Sequence, residues 1–229
     1  MRRLLVLAAA VVVAAAVAGT AGATSECNGL KACVRVAGPW VVVPPGLATT
    51  QWKLLCPKRF VVGGLDAELT TPALDVAFLA SLGSPVNPGI STSQGADFIG
   101  RLVAGRDPAA TFRPHIGCIP TPGGKQRVPT ARRRVFPPSP ASVLRATVFP
   151  VGVRETRATR TCHRGERLLT SSDATGFYTV SQPSAGLVGS VHVSRRTAGG
   201  RVTITIRAGE RVRAVHAVVQ LDLLCAGVG

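Results

Sequence analysis

From Arg201 to Arg207 the chain alternates: Val202, Ile204 and Ile206 fall on one side, Arg201, Thr203, Thr205 and Arg207 on the other. A two-residue period marks a strand buried on one face and wetted on the other, because successive side chains leave a strand in opposite directions. The C-terminal run predicts another strand, with Val215, Ala217, Val219, Leu221, Leu223 and Cys225 on its core face. Leu187, Gly189, Val191 and Val193 alternate with Val188, Ser190 and His192, which predicts a third over Leu187 to Val193. Earlier, Val76, Phe78, Ala80 and Leu82 form one stripe, and Phe98, Gly100, Leu102 and Ala104 another. Turn residues at 83–89, 104–108 and 198–200 separate these runs. Helical periodicity is scarce beyond residue 23. The pattern predicts an all-β fold of two antiparallel β-sandwich-like or small-barrel domains. A single larger sandwich assembled from both halves is the alternative.

The N-terminus reads differently. Arg2 and Arg3 precede an unbroken apolar run from Leu4 to Ala18, and Ala21-Gly22-Ala23 follows. A charged head, an apolar stretch and a small-residue end predict a secretory signal peptide over residues 1–23. The run of 15 residues (18 − 4 + 1) is shorter than the roughly 20 that cross a bilayer. Membrane contact is expected only through an uncleaved signal segment. Cys27 follows Thr-Ser-Glu, which is unlike a lipid-attachment site. The expected location is secreted, extracellular or associated with the cell envelope.

Six cysteines follow the signal: Cys27, Cys33, Cys56, Cys118, Cys162 and Cys225. An even count in an oxidising compartment predicts disulfides. Cys56 to Cys118 spans 62 positions and Cys162 to Cys225 spans 63. Aligning Val61 to Ala67 with Leu168 to Ala174 places Asp66 and Asp173 each 52 positions before the closing cysteine. This predicts an internal duplication, each unit closed by its own bridge, with Cys27 left to pair with Cys33. Asp66 and Asp173 are then expected to accept backbone hydrogen bonds in equivalent turns. No close ligand pairs such as C-x-x-C occur, so neither a metal nor another cofactor is expected.

The first unit has Cys56-Pro57, then Phe60-Val61-Val62-Gly63-Gly64, then Cys118. This pattern resembles a Cys-bounded repeat found in uncharacterised exported proteins of high-GC bacteria. The resemblance implies export and β-rich units. It supplies no activity and no catalytic residues. The second unit departs from it, with His163 in place of the proline and Thr170-Ser171 in place of the glycine pair.

Composition then adds a partner. Lys and Arg number 27 against 11 Asp and Glu. The segment 119–145 contains Pro120, Pro122, Pro129, Pro137, Pro138 and Pro140 together with Lys125, Arg127, Arg132, Arg133 and Arg134. Proline at that density suits extended, solvated chain. The segment is read as a basic linker between a first domain (24–118) and a second (146–229). Clustered cations attract anionic polymers, so Lys125, Arg127, Arg132, Arg133 and Arg134 are the candidate anion-binding residues. Aromatics are too few for the usual nucleic-acid modules, and none is expected as a partner.

No zincin, nucleophile-elbow, phosphate-loop or dinucleotide motif occurs. Trp40 and Trp52 sit in apolar contexts and read as core. The expectation is a non-catalytic exported protein that binds an anionic envelope polymer. The alternatives are a secreted module that binds or inhibits another exported protein, and a hydrolase with a dispersed site.

Overall fold

The computed structural model describes residues 24–46, 48–79, 94–103, 110–120 and 142–227. The signal segment and all five candidate linker cations lie outside these residues. Among the described residues the protein is nearly all β, in antiparallel sheets. The first half contains β1 (Val34–Ala37), β2 (Trp40–Val42), β3 (Thr49–Leu55), β4 (Phe60–Leu69), β5 (Leu74–Leu79), β6 (Gly95–Leu102) and β7 (Thr111–Pro120). The second contains β8 (Ser142–Pro150), β9 (Thr156–Thr161), β10 (Glu166–Tyr178), a one-turn helix α1 (Ala185–Val188), β11 (Val191–Ala198), β12 (Arg201–Ala208) and β13 (His216–Gly227). Ile119 and Pro120 thus finish β7, and Ser142 to Arg145 begin β8, so both ends of the 119–145 segment are strand.

The halves repeat one strand plan. In the first, β3, β6 and β5 form a small sheet in that order, and β4 pairs with β7. In the second, β9, β12 and β11 form a small sheet in the matching order, and β10 pairs with β13. Each long pair has a bulge near its start, between Val62 and Gly64 and between Leu168 and Thr170. Cys56 bridges to Cys118 and Cys162 to Cys225, while Cys27 bridges to Cys33. The three bridges fit an oxidising compartment.

The long pairs merge into a single seven-stranded sheet, ordered β1-β7-β2-β10-β13-β8 with β4 on the far side of β7. The short strand β2 is the join. Val41 lies opposite Phe112 of β7 and also opposite Gly176 of β10. Its side chain is fully buried.

Each half buries its own core against this sheet. Trp52, Phe98, Phe112, Ile116 and Val62 gather in the first. Ile204, Ile206, Val202, Phe177, Leu221 and Leu223 gather in the second. Both tryptophans are buried, as their contexts predict. The predicted stripes of β6, β12 and β13 all face a core.

β13 is more deeply enclosed than its alternation implies. Val218, Gln220 and Asp222, on the face opposite its core stripe, are buried as well. Val218 joins the first half's core. The small sheets therefore pack from opposite sides of the shared sheet, and β13 lies between them.

Two expectations need correction. Leu187 to Val193 is not one strand. Ser184 accepts a hydrogen bond from the Leu187 amide at 3.3 Å and starts the helical turn α1, so the strand begins only at Val191. Nor are Asp66 and Asp173 equivalent turn residues. Both lie in strands, and the register pairs Asp66 with His115 but Asp173 with Leu221. Ser172, opposite Asp222, holds the place that matches Asp66.

Candidate anion-binding face

The outer face of the β9-β12-β11 sheet carries the polar side of the alternation seen in Arg201 to Arg207. The inward residues Val202, Ile204 and Ile206 are buried, so Arg201, Thr203, Thr205 and Arg207 must point outward. The register adds one residue from each neighbouring strand. Arg201 lies between Ala198 and Thr161, and Thr203 between Arg196 and Thr159. Thr205 lies between Ser194 and Arg157, while Arg207 lies opposite His192. The Thr159 and Thr203 hydroxyls are hydrogen-bonded at 3.0 Å. Arg207 pairs with Glu155 at 2.6 Å. Arg157, Arg196 and Arg201 have no carboxylate partner among the described residues.

Elsewhere the acids are matched or withdrawn. Asp75 pairs with Arg101, Glu166 with Arg145, Asp173 with Arg195 and Glu210 with Arg213. Burial raises the Asp173 carboxyl, and Arg195 opposes the shift. Glu26 is buried beneath the N-terminal loop, with Arg35 at 3.6 Å. Asp97 and Asp222 lie at the seam between the halves. Asp222 accepts from Gln220 Nε2 at 3.1 and 3.2 Å. Burial pushes its carboxyl up to about 7; the Gln220 hydrogen bond opposes this, the Asp97 charge adds to it and Lys53 opposes it. Asp97 is raised by burial too, against the pull of Lys53, which lies directly opposite it on β3. Lys53 Nζ also reaches the Leu144 carbonyl at 3.4 Å.

A third polar cluster lies on the outer side of β4 and β7. The Ser25 amide and hydroxyl donate to Asp66 at 2.6 and 3.1 Å, and the Ala67 amide donates at 2.8 Å. Burial pushes Asp66 up, but these bonds and nearby His115 outweigh it and hold the carboxyl below its ordinary value. His115 Nε2 stands 3.0 Å from Glu68 Oε1, off the line of a hydrogen bond. Serine, histidine and acids thus meet here, but the serine hydroxyl donates to the carboxylate. Activation of a nucleophile needs the hydroxyl on the imidazole instead. Of the other histidines, His216 stacks on Tyr178 with centroids 4.9 Å apart.

The same region explains the second glycine of the first unit's pair, Gly64, and Gly117 opposite it. The Glu26 carbonyl rests on the sheet where a Cβ on Gly64 would lie 1.9 Å from it and one on Gly117 2.1 Å. Only glycine lets the Cys27–Cys33 loop seat so closely. In the second half Thr170 and Leu224 occupy the matching ladder positions, and no such loop among the described residues covers them.

One group of a cation-binding type occurs among the described residues, Cys162, Glu166 and Cys225. Its two sulfurs are joined in a disulfide and are not available as thiolates. The six predicted cysteines are therefore structural. The predicted linker cations Lys125, Arg127, Arg132, Arg133 and Arg134 lie outside the described residues. Sequence reading recognised the charged side of β12 but missed the assembled face, because its other arginines come from strands aligned only by the fold. No known protein family matches the chain, and no curated protein or solved structure shows significant similarity to it.

Proposed function

We propose that this is an exported, non-catalytic binding protein that acts at the cell envelope on an anionic polymer. The observation that supports the reading is the charge balance of the surface. Among the described residues every acid but Glu68, which faces only His115, and half-buried Asp97 is paired, hydrogen-bonded or buried, while Arg157, Arg196 and Arg201 of the β9-β12-β11 face have no carboxylate partner. Positive surplus of this kind raises the local concentration of polyanions and steers their approach. In this reading the two halves descend from one duplicated unit, and the basic segment between them adds a second set of cations.

Co-sedimentation of the secreted form with purified envelope fractions across a salt series tests the proposal. Binding should fall steeply with salt. Binding indifferent to salt, or none, contradicts it. A protein partner is the second reading, favoured by the exposed Phe78 and Leu79 on edge strand β5. It predicts salt-tolerant binding.

A further inference from the structure

The four outward arginines of the β9-β12-β11 sheet are not scattered. Each of four successive cross-strand rows holds one. Arg201 stands in the row of Ala198 and Thr161, and Arg196 in that of Thr203 and Thr159. Arg157 stands with Thr205 and Ser194, and Arg207 with His192. Outward rows are two residues apart, about 7 Å along a strand, and the whole ladder is about 20 Å long. Neighbouring strands are only about 5 Å apart, so the side-to-side scatter is within reach of an Arg side chain. Small or hydroxyl residues fill most of the remaining positions, which leaves a low path between the guanidinium groups.

We propose that this ladder binds a linear phosphodiester polymer laid along β12, one phosphate to each row. This rests on the polyanion reading above and names its ligand class. A pitch of about 7 Å is the span of six extended backbone bonds, as in two residues of extended polypeptide. Phosphates joined through a three-carbon polyol are separated by six bonds. Guanidinium forks suit phosphate oxygens, and the Thr and Ser hydroxyls supply further donors. A single-stranded nucleic acid has the same six-bond spacing, but the face has no Phe, Tyr or Trp and its one ring, His192, lies at the end row, so it offers no run of platforms on which successive bases would stack. It also lacks an exposed large apolar residue to enter a lipid surface.

The test uses poly(glycerol phosphate) with the secreted form in a salt series. Long-chain polyphosphate, whose charges are closer together, and oligo(dT) serve as comparators. Four contacts, with Arg207 exchanging its Glu155 pair for a phosphate, predict a plot of log affinity against log salt with a slope of about −3, taking the value for single strands. The double variant Arg157→Gln/Arg196→Gln should bring the slope to about −1.4 and weaken binding at least tenfold. Arg196→Thr combined with Thr203→Arg keeps one arginine in that row and should restore most of what Arg196→Thr alone loses. The proposal is overturned if the double variant binds like the parent, if the transposed variant fails to recover, or if either comparator binds as tightly. Loss of binding only on neutralising Lys125, Arg127, Arg132, Arg133 and Arg134 would overturn the ladder and leave the polyanion reading intact. Failure of the parent to bind any of the three polymers would remove both.

Discussion

The two small sheets have one strand order and opposite chemistry. On the first, the outward positions of β5 and β6 include Ala77, Leu79, Ile99 and an Arg101 neutralised by Asp75 at 2.8 Å. On the second, the corresponding face carries Arg157, Arg196 and Arg201 without a carboxylate partner among the described residues, and Arg207 paired with Glu155 at 2.6 Å, among Thr and Ser. The long pairs differ in the reverse sense. β4 and β7 accept a disulfide-closed loop on their outer side and need Gly64 and Gly117 to do so, whereas β10 carries exposed Thr170 at the matching place. The frame depends on inward residues and bridges alone. That leaves each outer face free to specialise, one as a seat for the chain's own N-terminal segment and the other as a basic surface.

Perturbing both halves in parallel sharpens the comparison. The largest effect should come from the long bridges. Replacing Cys56 and Cys118 by Ala, or Cys162 and Cys225, is expected to cost about 4 kcal/mol in either half, read from urea unfolding. Near-equal losses would follow from equivalent loops; a loss in one half only would break the parallel. Next, Gly64→Val should destabilise by about 3 kcal/mol because the Glu26 carbonyl must give way, whereas Thr170→Val should change stability by less than about 0.5 kcal/mol. Similar shifts from the two would show that the loop does not require its glycine seat.

The seam yields a pH signature. The folded Asp222 carboxyl, at about 7, is raised above its ordinary 3.8. The folded state therefore holds a proton that the unfolded chain releases between those values. The stabilisation is complete below pH 4 and is lost as pH rises through 7. Asp222→Asn should leave stability at pH 4 nearly unchanged and raise it by about 4 kcal/mol at pH 8. A flat pH profile in the parent would contradict the burial of that acid between the halves. Smallest is Arg195→Gln. It removes the 3.1 Å pair with half-buried Asp173 and should cost about 1 kcal/mol by thermal unfolding.

How much of this was legible in the chain varies with how local the cause is. The bridges follow from matched spacings, and the cores of β6, β12 and β13 from period two. The join through β2 was not legible: three residues, Trp40 to Val42, have no pattern that announces pairing on both sides. Gln220 and Asp222 read as a wetted face, since nothing local to β13 records that the first half covers it. The duplicated Asp-Ala steps misled by one residue, because both long strands keep one register from their opening cysteine through a matching bulge, and the extra residue of the second half falls between Ser172 and Asp222 instead of before the Asp step. The arginine ladder needs three strands in register, and only its β12 members were visible as a pattern.

The most direct test of the central claim is amide hydrogen exchange of the secreted protein with and without poly(glycerol phosphate). The account predicts added protection across β9, β11 and β12, with β3, β5 and β6 unchanged. Equal protection of both small sheets, or protection confined to the first, would contradict it.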